Sequence, residues 1–208
     1  MKYRKLEGTD LTVPQYVLGT GDYASNVPAD IARDLLKTYV DCGGTMLDTS
    51  HYYGSFLVGG RSLSECLVGD FLQENHLREQ VLISTKGCCY ATNKPYEKRM
   101  TPAFLRSDLT ESLRNLHTDY IDFYWLHQDD PSQPVGSILE ELNRCVEEGK
   151  IRYFGCSNWK IERILEADAY AEAHGLRKFS ANQVMLNMAY PNMTAVDELI
   201  QNLATPGD

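Results

Sequence analysis

Short apolar, β-branched or aromatic runs alternate along this chain with longer segments in which apolar residues recur at helical spacing. The short runs sit in QYVLGT, GTMLDTSHYYG, VLISTKG, YIDFYWLHQDD, IRYFGCSNW and FSANQVMLN, and each finishes in polar residues. That is the pattern of buried parallel strands whose ends open onto one face. Helices are predicted from Pro28 to about Cys42 and over RSLSECLVGDFLQEN, TPAFLRSDLTESLRNLH, VGSILEELNRCVEEG and KIERILEADAYAEAHG, with a last one in MTAVDELIQNLA before the polar end TPGD. Thr101 is placed as the N-cap of the third, Pro102 in its first turn, and Gly149 closes the fourth. An N-terminal hairpin is expected before the first strand.

Strand then helix, repeated, predicts an α/β fold with a parallel sheet. The repeat length is that of one βα unit in a (β/α)8 TIM barrel, where function sits on the loops after the strand C-termini. A doubly wound sheet is the competitor, but no G-x-G-x-x-G opens the first helix. Gly19-Thr20-Gly21 lacks the third glycine. A complete barrel has eight strands and about 250 residues. The expectation is therefore one domain over residues 1–208, with about six of eight repeats present and the C-terminal ones lacking. Such a sheet is expected to expose two long edges and an apolar inner layer, which favours self-association.

With 43% hydrophobic and 24% charged residues, the chain has enough apolar material for one sizeable core. Its 20 basic against 29 acidic residues give a net charge of −9, which disfavours nucleic acid or an anionic membrane as a partner. The start, MKYRKLEGTDLTVPQYVLG, lacks the apolar core of a signal peptide, and no run has the length of a membrane span, so a cytoplasmic location is expected. Six cysteines without C-x-x-C spacing read as small, mostly buried thiols rather than metal ligands.

Candidate chemistry collects at the strand ends. A lysine ending VLISTK inside an apolar strand layer needs a carboxylate, and Asp48 on the neighbouring strand end is the natural partner of Lys86. An ammonium near a phenol makes the phenol a readier proton donor, and Tyr53, five residues beyond Asp48, is within reach of that place. Phe123, Trp125 and His127 share one face at period two, which puts the imidazole at the same mouth, where it can donate to a carbonyl oxygen. Singly, each has an ordinary explanation: Asp48 a turn former, Tyr53 packing, Lys86 a solvated strand end, His127 a satisfied core histidine. Together, four types suited to one proton-transfer site fall at three strand ends of one parallel sheet. His51 is expected to border the pocket beside Tyr52, and His117 to meet a helix C-terminus. A metal hydrolase would show His-x-His at the first strand; Asp129 and Asp130 read instead as a solvated loop face. Ser157-Asn158 reads equally well as a helix cap.

The motifs LDTSHYYG, GGRSLSECLVG, STKG, SLRNLHTDYIDFYWLHQDD, GKIRYFGCSNW and NQVMLN resemble the aldo-keto reductase family over almost the whole chain. The resemblance implies a TIM barrel that reduces aldehydes and ketones with NADPH, or less often NADH. It implies Tyr53 as general acid, Lys86 and Asp48 as the pair that tunes it, and His127 as the residue orienting the carbonyl. It also implies nicotinamide contacts from Ser157, Asn158 and Gln183, with Gly19, Thr20, Gly21 and Asp48 bordering the same cofactor. The family's seventh and eighth strand ends, with their cofactor contacts, have no counterpart here. Two readings therefore stand: a reductase acting on a small carbonyl compound, or a shortened, non-catalytic relative serving as a binding module. Tyr23, Tyr52 and Trp125 near the mouth point to a planar or apolar substrate.

Overall fold

The computed structural model describes residues 1–57, 61–89 and 99–185, and the backbone of residues 186 and 203–204. The expected hairpin is present as β1 (Tyr3–Lys5) paired antiparallel with β2 (Thr12–Pro14). Six parallel strands follow, β3 (Leu18–Gly19), β4 (Met46–Asp48), β5 (Leu82–Gly87), β6 (Ile121–Leu126), β7 (Ile151–Ser157) and β8 (Asn182–Gln183), adjacent in chain order. Between successive strands from β3 to β8 run α1 (Ala29–Asp41), α2 (Leu63–Glu74), α3 (Pro102–Asn115), α4 (Val135–Glu147) and α5 (Ile161–His174). A doubly wound sheet reverses its strand order at a switch point. This sheet never reverses, which is the topology of a barrel wall. A two-residue parallel pair joins β9 (Met185–Leu186) to β10 (Leu203–Ala204), and the helix expected in MTAVDELIQNLA lies outside the described residues.

The helix boundaries follow local chemistry. Ser62 accepts the Glu65 N–H at 3.2 Å to start α2, and Thr101 accepts the Phe104 N–H at 3.4 Å to start α3, with Pro102 behind it. Gly149 and Gly175, at φ of 70° and 65°, take the left-handed turns that end α4 and α5. The first expected strand contracts to Leu18–Gly19, and the last splits around Val184, so the terminal strands are two residues long rather than long bare edges. Exposed apolar pairs nonetheless mark both ends of the sheet: Ile31 and Leu35 on α1, Ile161 and Leu165 on α5.

Alternation along the strands divides the apolar residues into two layers. Tyr124, Leu126, Leu47, Ile83 and Phe154 face the helices and share a core with Leu36, Val68, Leu105 and Leu139. Met46, Phe123 and Trp125 face the other way, and Leu11 of the hairpin turn packs on them with Leu6, Val13, Leu82, Tyr153 and Ala181 around it. The inner layer is therefore covered, contrary to the expectation of an exposed one. Each large side chain so buried contributes about 1.5–3 kcal/mol. The hairpin is tied across the floor at both sides: Tyr3 donates to the Gly43 carbonyl at 2.6 Å, and Asp10 meets Arg152 at 2.9 Å.

A single contact shows how strongly the sheet curls. The Gln183 side-chain N–H on β8 donates to Asp48 Oδ2 on β4 at 3.4 Å. In a flat sheet the four intervening spacings would hold these strands about 19 Å apart. The wall therefore bends around an interior onto which its strand ends open. Among the described residues no helix is long and apolar enough to cross a membrane.

Candidate active site

Asp48 is the last residue of β4, in register with Gly19 of β3 and Ser84 of β5. Lys86, two residues beyond Ser84 and so on the same face, stands in register with Trp125. Its ammonium pairs with Asp48 Oδ2 and donates to the Thr49 carbonyl at 3.0 Å. At 2% exposure Lys86 is buried, and these partners are what keep a buried cation tolerable. The other carboxylate oxygen of Asp48 accepts from the Ser84 hydroxyl at 2.7 Å, and that hydroxyl accepts the Trp125 indole N–H at 2.7 Å. Trp125, Ser84, Asp48 and Lys86 thus form one polar chain across three strands, with Gln183 reaching in from a fourth.

Tyr53 lies in the turn after β4, its N–H donating to the Ser50 carbonyl at 3.1 Å. Its ring centroid is 5.2 Å from the Lys86 ammonium nitrogen, within cation–π range. The His127 ring stands edge-on to it at 5.8 Å and 87°. Gly21 is the third wall; a Cβ there would come within 3.8 Å of Tyr53 Cζ. The structure therefore brings Asp48, Tyr53, Lys86 and His127 to one mouth.

His127 follows β6 directly, with its N–H on the Gly87 carbonyl at 2.9 Å and Nδ1 3.0 Å from the Ser50 hydroxyl oxygen. Burial, and then the Lys86 charge, push its pKa down to about 3. Part of the ring reaches the mouth, and the direction is what matters: the imidazole is neutral at neutral pH. An unfolded histidine titrates near 6.5. Protonation therefore favours the unfolded chain, so the stability contributed by neutral His127 is complete above about pH 6.5 and is lost as the pH falls towards about 3. The expected slope approaches 1.4 kcal/mol per pH unit. Urea melts of the wild type and His127→Gln across this range check it: the difference between the two curves must carry the slope, and parallel curves would refute it.

The candidate cofactor residues divide. Ser157 donates to the Gln183 carbonyl at 3.1 Å, and Asn158, at φ 57°, accepts the Met185 N–H at 2.8 Å. The helix-cap expectation for this pair is not met, because α5 starts after Lys160 with no side-chain cap. Ser157, Asn158 and Gln183 form a cluster of hydroxyl and amide groups that reaches Asp48. Thr20 is wholly buried and braces the site from behind, donating to the Asp48 carbonyl at 3.1 Å and lying 2.7 Å from Ser64. Gly19 and Gly21 flank it, exposed towards the mouth.

Other expectations are corrected. His51 turns away to α3, with Nε2 2.9 Å from Glu111 and Nδ1 3.9 Å from Asp108, instead of lining the mouth. His117 does sit just past α3 as expected, its N–H on the Arg114 carbonyl at 3.3 Å, and its ring also pairs with Asp70 at 2.9 Å. Asp129 is buried against Arg163 at 3.3 Å and is not a solvated face. Tyr23 is buried in the core on the helix side of the sheet. Of the cysteines, Cys88, Cys145 and Cys156 are buried, Cys42 is exposed, and Cys66 and Cys89 are intermediate.

Ser50 and Ser84 were absent from the sequence reading. Ser84 carried a signal, its period-two spacing from Lys86, which puts both on the inner face. Ser50 carried none, since nothing in the sequence brings it to His127, 77 residues away.

A parallel wall that curls with its polar residues at the strand C-termini places the protein in the class of α/β barrels with a site at the mouth. The model of the aldo/keto reductase family matches residues 16–205, and the chain belongs to that family. It is 29% identical over 181 residues to aldo-keto reductase YhdN of Bacillus subtilis, covering 85% of this chain and 53% of that one. It is 30% identical over 174 residues to norsolorinic acid reductase of Aspergillus flavus, covering 80% and 42%, and 30% over 159 residues to an aryl-alcohol dehydrogenase of Pestalotiopsis microspora, covering 74% and 40%. The chain thus spans about half the length of these relatives, or somewhat less.

Proposed function

We propose that this chain carries the catalytic face of an oxidoreductase that reduces an aldehyde or ketone to an alcohol, with NADPH or, less often, NADH as the reductant. The observation that supports this best is the Tyr53 ring set between the Lys86–Asp48 pair and a neutral His127. Bound reduced nicotinamide supplies a hydride to the carbonyl carbon. The chain's own part is to hold the carbonyl oxygen and give it a proton. Tyr53 donates that proton, the Lys86 ammonium stabilises the phenolate left behind, and solvent restores the phenol. His127, uncharged and with Nε2 unpartnered among the described residues, donates a hydrogen bond that orients the oxygen. Asp48 holds Lys86 in place. The hydroxyl and amide cluster of Ser157, Asn158 and Gln183 suits a carboxamide, which both gives and takes hydrogen bonds. The neighbouring rings of Tyr52 and Phe56, centroids 6.1 Å apart, suit a planar apolar substrate, and the names of the aryl-alcohol and norsolorinic acid relatives agree with that class.

The second reading, a non-catalytic binding module, draws its support from the share of its relatives that the chain spans. Titration with NADPH, followed by nucleotide fluorescence and then by addition of an aromatic aldehyde, separates the two. Saturable binding with turnover is the expected result; no binding by folded protein would favour the module.

A further inference from the structure

We infer that Ser50 is a positioning residue that fixes the tautomer of His127, so that Nε2 carries the ring proton and faces the substrate. The inference rests on the reductase reading for its purpose, but its geometry stands apart from it. A neutral imidazole has one N–H, and only the nitrogen that carries it can donate to a carbonyl oxygen. Which nitrogen that is depends on the partner of the other.

The partner of Nδ1 is the Ser50 hydroxyl, at 3.0 Å and wholly buried. Nε2 has no hydrogen-bond partner among the described residues. A serine hydroxyl has one proton to give and two lone pairs to offer. One lone pair of Ser50 accepts the Tyr52 N–H at 3.1 Å. The proton has two possible acceptors, His127 Nδ1 at 3.0 Å and the Lys86 carbonyl at 3.3 Å. That carbonyl also accepts the His51 N–H at 2.9 Å, and Nδ1 has no other hydrogen-bond partner among the described residues. The contact to Nδ1 is the shorter of the two, and with the Ser50 proton directed there the ring proton is left on Nε2.

The charge field agrees. Lys86 opposes a doubly protonated ring, so the alternative to Nε2–H is the other neutral tautomer and not the imidazolium. In that tautomer Nδ1–H would point at Ser50, and a lone pair would face the carbonyl oxygen, which repels it. The Ser50 backbone is itself held: its carbonyl accepts the Ser62 hydroxyl at 2.9 Å as well as the Tyr53 N–H. The residue that starts α2 therefore also steadies the hydroxyl that orients the histidine.

The test is a long-range proton–nitrogen NMR spectrum of protein labelled with 15N-histidine, which reads the protonation of each ring nitrogen. His127 is assigned by the signal lost in His127→Gln. At neutral pH the wild type is expected to show protonated Nε2 and bare Nδ1. Ser50→Ala should show a mixture of tautomers and a turnover lowered up to about tenfold with KM little changed, the loss of one hydrogen bond's worth of orientation. Ser50→Thr, which keeps the hydroxyl, should restore both. A wild-type ring protonated on Nδ1 would overturn the assignment, as would an unchanged tautomer in Ser50→Ala. The wild-type spectrum decides the first point even where the alanine variant does not fold. If the tautomer follows Ser50 but no carbonyl is reduced, the reductase reading fails and the assignment of Ser50 stands.

Discussion

Replacing Tyr53 by phenylalanine is expected to lower kcat for a carbonyl substrate by about 10²–10⁴-fold, the range of a single general acid. Only the hydroxyl is removed. The ring keeps its edge contact with His127 and its cation–π contact with Lys86, since neither uses the oxygen. Stability should therefore change by less than about 1 kcal/mol. Nicotinamide affinity should also be unchanged, because the residues read as holding the carboxamide, Ser157, Asn158 and Gln183, are held by each other and by Asp48. Stopped-flow turnover, NADPH titration and thermal melts on one preparation check all three. Retained turnover in a folded Tyr53→Phe protein would remove Tyr53 from the mechanism and leave solvent or another group as proton donor.

Lys86→Met should act on folding as well as on chemistry. Removing one member of a buried ion pair strands the other, at about 3–5 kcal/mol. The low end is expected here, because Asp48 retains its hydrogen bonds from Ser84 and Gln183 and its side chain is 15% exposed. Against a total stability of about 5–15 kcal/mol that is a large fraction. Asp48→Asn in the same background removes the stranded charge while keeping the shape, so the double variant should regain more than half of the loss. Turnover should not return in either variant, since both lack the ammonium beside Tyr53. Urea denaturation of the two single variants and the double gives the coupling directly. Additive losses would mean that the two groups do not stabilise one another in the folded chain.

Much of this arrangement was legible in the sequence, because it rests on local rules. Thr101 followed by Pro102, and Gly149 and Gly175 after their helices, fix helix ends through backbone geometry alone. The Lys86–Asp48 pair was legible because a lysine in a buried strand has so few tolerable partners. What escaped reading depends on contacts between distant segments. Leu11 in the hairpin turn looks like an ordinary loop residue until the sheet curls under it, so the covered inner layer was not foreseen. Asp129 looked solvated because its partner, Arg163, comes from α5, beyond the next helix and strand. Ser157-Asn158 looked like a cap because such pairs often are one; here β8 and β9 take their hydrogen bonds first.

The hairpin that floors the barrel wall also sets an order of events during synthesis. Its ties run from Asp10 to Arg152 and Tyr153, up to 143 residues further along the chain. At about 5–20 residues per second, the ribosome needs roughly 7–30 s to deliver that far side. For that time Leu11 and the residues around it have no floor to form. The hairpin, made well before β7, is thus among the last parts to settle, a non-local closure of the kind that slows folding. Nascent chains should become resistant to proteolysis around the hairpin only once β7 has left the exit tunnel.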